Sequence, residues 1–143
     1  SSSLRSLSEQ FQQHSIQKVY YAISIGRMEK SGSIDLPIDD KPAYTTFEVV
    51  QSVPSKRFGQ LNLVRLQPKT GRRHQLRKHL AALGHPILGD QAYGKEGLVL
   101  NGKGIYLHAH SITFHHPEKK QEVSYCSPLP KKFLKIFNDI VPC

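Results

Sequence analysis

Between Leu66 and His79 the chain reads Leu-Gln-Pro-Lys-Thr-Gly-Arg-Arg-His-Gln-Leu-Arg-Lys-His. A Lys-Thr-Gly turn running into a cation-rich helix start is suited to holding an anion. The first turn of a helix offers unpaired backbone N–H groups and the positive end of its dipole. Gly71 is expected to supply a positive φ for the tight turn. On a helix spanning roughly His74–Leu83, the side chains of His74, Arg77 and Lys78 lie three to four residues apart and share one side. Leu76, Leu80 and Leu83 mark the opposite side, toward the core. A metal site is a weaker reading of the eight histidines. His74 and His79 are five apart, roughly 140° off a common helix face, and do not have the i, i+4 spacing of a zinc pair. His108 and His110 share a strand face without a third ligand at a fitting spacing. Gly-x-Ser-x-Gly, phosphate-loop and Gly-x-Gly-x-x-Gly motifs are absent, so neither a serine nucleophile nor a nucleotide cofactor is indicated. Cofactors and metals are expected to be none.

The charge extends the same chemistry. Lys and Arg number 20 against 11 Asp and Glu, a formal net charge of +9. Val49–Gly89 contains no acidic residue, yet carries Lys56, Arg57, Arg65, Lys69, Arg72, Arg73, Arg77 and Lys78. A face that is merely solvated mixes signs. An all-cationic stretch of this length points to a polyanion, and nucleic acid is the natural one.

These side chains need a scaffold, and 143 residues suffice for one domain with its own core. Hydrophobic residues make up 38% of the chain, a folded rather than a disordered balance. No apolar run reaches the ~20 residues of a membrane helix, and Ser1–Glu9 does not read as a signal peptide. Two cysteines, Cys126 and Cys143, are too few for a disulfide framework, so an intracellular setting is the default. Leu4, Leu7 and Phe11 predict a short amphipathic helix. Val19–Ile25 predicts a strand ending at Gly26. Arg27–Lys41, with Ser31-Gly32-Ser33 and Pro37, reads mostly as loop. Tyr44–Val53 and Gln60–Leu66 predict a hairpin. Gly84 and Pro86 stop the cationic helix. Tyr106–Phe114 and Glu122–Cys126 predict a second strand pair, and Pro130–Val141 a terminal amphipathic helix with Phe133, Leu134, Ile136, Phe137 and Ile140 on its apolar side. The fold class is α+β, a mainly antiparallel mixed sheet with flanking helices.

Leu66–His79, followed by Leu83-Gly-His-Pro-Ile-Leu-Gly-Asp-Gln-Ala-Tyr-Gly94, closely resembles the RluA-type family of RNA pseudouridine synthases. Lys18-Val-Tyr-Tyr-Ala22, Leu107–Pro117 and Pro128-Leu-Pro-Lys-Lys-Phe133 resemble further family motifs in the same order. The resemblance covers nearly the whole chain. It implies a cofactor-free reaction in which an RNA uridine is detached at its glycosidic bond, turned over and rejoined through carbon. The family's nucleophile is an Asp in a His-Arg-Leu-Asp motif, and that motif does not occur here. Residues 1–143 are therefore expected to form the C-terminal part of a larger catalytic domain, inactive alone and open to self-association along an uncovered sheet edge.

By motif position, the resemblance makes Tyr20 the tyrosine that packs on the uracil ring and Arg77 the arginine that pairs with the catalytic carboxylate. Without that carboxylate, Arg77 should be exposed or paired elsewhere. Tyr20 and Tyr21 must face opposite ways on a strand, and motif position puts Tyr20 in the cleft. Leu76 is a candidate wall of the uracil pocket. Lys69, Arg72, Arg73, His74 and Lys78 are candidate RNA backbone contacts. Asp90 and His85 read as structural, Asp90 as a turn-stabilising carboxylate. The expected partner is ribosomal or transfer RNA, in the cytoplasm or an organelle, with no membrane association. The competing reading is a non-catalytic RNA-binding module.

Overall fold

The computed structural model describes residues 16–94, 102, 104–116, 118, 121–138 and 141–143. The helix expected at Leu4–Phe11 lies outside them, as does Ile140. Six strands are present among the described residues: β1 (Gln17–Ile25), β2 (Ser31–Asp35), β3 (Tyr44–Ser55), β4 (Gly59–Pro68), β5 (Leu107–His115) and β6 (Glu122–Cys126). Two helices accompany them, α1 (Gln75–Ala82) and α2 (Lys131–Leu134). The strands form one sheet in the order β2-β3-β4-β1-β5-β6. Every pairing is antiparallel, in agreement with the α+β expectation.

The two central strands are buried on both faces, which is why they read as near-continuous apolar runs. Residues 21–25 of β1 and 61–64 of β4 are all buried, with Ala22, Ile23, Leu63 and Val64 inaccessible to solvent. Beyond Ala22, the outer flank of β1 passes from β5 to a docked loop. Leu88 N–H donates to Ile23 O (2.7 Å), Ile25 N–H to Pro86 O (3.0 Å) and Tyr106 N–H to Leu88 O (2.9 Å). Gly89 follows at φ +84, and a Cβ there would collide with the carbonyl of Gly104. Only glycine permits this approach, and it sets the direction of the next residue, Asp90.

Three expectations need correction. Within Arg27–Lys41, read as loop, Ser31–Asp35 is an edge strand paired with Tyr44–Glu48. Ser-Gly-Ser-Ile-Asp has weak intrinsic strand preference; the partner strand supplies the order, as β preference depends on context. Ile34 is its one buried side chain. The terminal helix is a single turn, Lys131–Leu134, rather than Pro130–Val141. Phe133 and Phe137 are buried, but Leu134 is exposed. The tail beyond the helix is tied to the sheet: Cys143 is bonded to Cys126, and Pro142 O lies 3.1 Å from His110 Nε2. The two cysteines make one bridge that the sequence reading left unjoined. Thirdly, Leu83 does not face the core.

The bridge spans a sequence separation of 17. Loop-closure entropy at that length is worth about 3 kcal/mol. Cys126→Ser is therefore expected to lower stability by about 3 kcal/mol in oxidising buffer and by little in the presence of a reductant, measured by urea unfolding.

Candidate functional site

Helix α1 is held at its first turn by side chains rather than by a cap. Gln75 is buried and fully engaged: its Oε1 accepts from Thr70 Oγ1 (2.6 Å) and Arg72 N–H (3.1 Å). Its Nε2 donates to Tyr44 O (3.0 Å) and Thr45 Oγ1 (2.9 Å). One turn on, His79 is also buried, with Nε2 2.8 Å from Leu36 O and Nδ1 2.8 Å from Thr45 Oγ1. A carbonyl only accepts, so Nε2 carries a proton and Nδ1 takes the threonine's. This chain pins α1 to the start of β3. The inward stripe is Gln75, Leu76, His79 and Leu80, while Leu83 is the C-cap and 39% exposed. Gly84 N–H donates to Ala81 O and His85 N–H to Leu80 O, with Gly84 at φ +86: a Schellman ending, at the expected stop.

The left-handed residue of the preceding turn is His74, at φ 53 and ψ 31, and Gly71 is not among the positive-φ residues. Histidine tolerates this region better than most residues, and a neighbour fixes it here. His74 Nδ1 lies 2.8 Å from the Tyr93 hydroxyl. Being outside the helix, His74 does not share a helix side with Arg77 and Lys78. The ring's own desolvation and the charges of Arg77, Arg73 and Lys78 push its pKa below the ordinary histidine value, only partly opposed by Asp90.

Arg77 is paired elsewhere, and the partner is Asp90. Nε reaches Oδ2 at 3.0 Å and Nη2 reaches Oδ1 at 2.9 Å, a bidentate fork. The Asp90 side chain is wholly buried and that of Arg77 is 23% exposed. Oδ1 also accepts the backbone N–H groups of Ala92 and Tyr93, both at 3.1 Å. Asp90 thus stabilises its turn, as expected, and also orients the arginine. Burial alone would raise its pKa; the Arg77 hydrogen bond, the two N–H groups and the Arg77 charge outweigh this and hold it below the usual carboxylate range. The hydrogen bonds that Arg77 donates to Asp90 correspondingly raise the Arg77 pKa. Tyr93 closes the cluster, with Arg77 Cζ 5.0 Å from its ring centroid. Tyr93 escaped the sequence reading. Its place in the Leu83–Gly94 motif was a signal, but that did not suggest a stacking role. His85 is structural, with Nδ1 3.0 Å from Ile25 O.

Arg77 lines a cavity of about 270 Å³ between the ends of β1 and β4 and the start of α1. Tyr20, Leu76, Arg72 and His74 line it as well, with Lys18 and Gln75, which sequence reasoning did not single out. Lys69, Arg73 and Lys78 do not. Arg73 is exposed, and Lys78 points to Asp39 at 3.6 Å. Arg72 Nε donates to Pro42 O at 2.8 Å. Tyr21 faces away from the cavity, buried against the His110 ring at 4.9 Å; burial, partly opposed by Arg65, raises its pKa. Nε and Nη2 of Arg77 are committed to Asp90. The two Nη1 donors make neither of those bonds and can serve an anion or an acceptor within the cavity. Among the described residues no group of three or more His, Cys, Asp or Glu is placed to hold a metal, and no helix is long and apolar enough to cross a membrane.

Comparison with known proteins gives this geometry a context. A family model described as RNA pseudouridylate synthase matches residues 1–82. The chain is 38% identical over 128 residues to the dual-specificity RNA pseudouridine synthase RluA of Vibrio parahaemolyticus, an alignment covering 78% of this chain and 51% of that protein. It is 35% identical over 161 residues to tRNA pseudouridine synthase C of Haemophilus ducreyi, covering 94% of this chain and 66% of the relative. The chain thus spans about half the length of the Vibrio relative. Among solved structures, human RNA pseudouridylate synthase domain containing 1 superposes with a TM-score of 0.75 at 28% identity, over 88% of this chain and 60% of that one.

Proposed function

The chain belongs to the RNA pseudouridylate synthase family, and on that premise we propose that it is the arginine-bearing part of a catalytic domain that converts uridine in ribosomal or transfer RNA to pseudouridine. The observation that carries this reading is one cavity with Tyr20 on its wall and an arginine held in position by Asp90. In this reading the N1–C1′ bond of uridine breaks, the ring turns, and C5 bonds to C1′. C5 loses its proton to solvent, and N1 gains one. Tyr20 and Leu76 hold the ring, and the base must first leave its stack, which costs a few kcal/mol. The Nη1 edge of Arg77 faces a carboxylate nucleophile supplied from outside these 143 residues, keeping it ionised and oriented. Cations along 49–89 hold the flanking phosphates and offset the cost of extruding the base.

Loss of the C5 proton supplies the test. RNA labelled with tritium at uridine C5 should release label to water with the protein that carries the carboxylate segment. The 143-residue chain alone should release none. A protein that binds RNA yet never releases label would instead be the non-catalytic module. The same reading expects a cytoplasmic or organellar setting, and self-association along a sheet edge that the carboxylate segment would otherwise cover.

RNA affinity should fall steeply with salt, because each neutralised phosphate releases counterions. Arg72→Gln with Arg73→Gln is expected to reduce the slope of log affinity against log salt by about 1–2. An unchanged slope in filter-binding titrations would show that neither arginine touches the backbone.

A further inference from the structure

A second cavity, of about 320 Å³, opens on the other side of Tyr20. Lys18 and Tyr20 line both cavities, so the two are neighbours across one strip of β1. Strand register explains the second one. Lys18 pairs with Ile112, and Ile112 with Tyr125, which puts the three in a row on one face across β1, β5 and β6. A bulge between Val19 and Tyr20 shifts the register, so that Tyr20 pairs with Ala109. The small side chain of Ala109 leaves the floor low between Tyr20 and Tyr125.

Tyr125 forms the far wall and is 61% exposed. Its ring is parallel to that of Phe114, 6.2 Å between centroids and 23° between planes. Phe114 is stacked in turn on His116 at 6.5 Å and 28°. An exposed aromatic ring, braced from behind by a second and open to a cavity beside a cationic site, is what stacking of an unpaired base requires.

We propose that this cavity is a subsite for the unpaired nucleotide adjacent to the reacting uridine, with its base stacked on Tyr125. The proposal rests on the reading that the Arg77 cavity takes the uridine. RNA is favoured as occupant because the subsite shares Lys18 and Tyr20 with that cavity and because the chain carries +9. Stacking is tolerant of base identity, since every base has a π face. The subsite therefore selects for an unpaired neighbour and not for a particular base.

The test uses the protein with its carboxylate segment and hairpin RNAs carrying the uridine in the loop. Each neighbour of the uridine, 5′ and 3′, is replaced in turn by an abasic nucleotide or by 2-aminopurine. Tyr125→Ala is expected to weaken binding of the intact hairpin by roughly 5–150-fold, and Tyr125→Phe to leave it unchanged. At one neighbouring position the abasic hairpin should bind wild type as weakly as the intact hairpin binds Tyr125→Ala, with no further loss on combining the two. 2-Aminopurine there should be quenched by wild type and not by Tyr125→Ala. Equal loss on intact and both abasic hairpins would overturn the subsite, as would quenching at neither position. So would a Tyr125→Ala variant that changes only the oligomeric state, which would make this face a contact between copies. Failure of the underlying reading looks different: wild type would then release no tritium from any of these RNAs.

Discussion

Asp90→Ala should destabilise the protein by about 3 kcal/mol, a drop of roughly 6–12 °C in melting temperature. The substitution leaves Arg77 charged and partly buried with its bidentate acceptor gone, and it strips the Ala92 and Tyr93 N–H groups of their partner. Breaking a buried pair costs about 3–5 kcal/mol. The lower end applies because Arg77 keeps contact with water. Asp90→Asn keeps the shape and loses the charge, and should cost about 2 kcal/mol. The pH dependence follows from the lowered pKa of Asp90. Its contribution is complete above about pH 4, where the unfolded carboxylate is already ionised, and is lost as pH falls through the lower folded value. The gap between wild type and Asp90→Asn should hold from neutrality down to about pH 4 and close below it. A gap that widens in acid would mean that the pair does not stabilise the folded state.

Arg77→Gln should reduce tritium release from RNA by roughly 10²–10³-fold in the protein that carries the nucleophile, the loss seen when one preorganised electrostatic contact is removed from an active site. The loss should fall on kcat, because RNA affinity is spread over many cations while the arginine meets only the reacting groups. Arg77→Lys should do little better. A lysine cannot keep the fork to Asp90 and also present a second pair of donors to the cavity. An Arg77→Lys variant within threefold of wild type would reduce this residue to a phosphate contact.

Local patterns were legible in the chain because local physics produces them. The apolar runs at Val19–Ile25 and Gln60–Leu66 read as strands, and both are. Gly84 before Pro86 marked the end of a helix, and the Schellman ending at Gly84 is there. The motifs around Leu66–Gly94, with Tyr20 and Arg77, carried the family resemblance that the comparisons bear out. Decisions that depended on distant partners were not legible. Ser31–Asp35 became a strand because Tyr44–Glu48 offered it a ladder. Nothing in the sequence marked Gln75 and His79 as buried anchors; Thr45 and Leu36 make them so by coming within hydrogen-bond reach. Asp90 read as a turn residue, and only the docking of residues 86–88 against β1, with Gly89 packed on Gly104, aimed it at Arg77. Cys143 found Cys126, and Tyr125 found Phe114, once the sheet had set their strands side by side. Sequence determines which segments bury apolar surface and which bear charge, since those are properties of neighbouring residues. Which polar groups pair is decided only when folding excludes water and leaves each buried donor the acceptors within its reach.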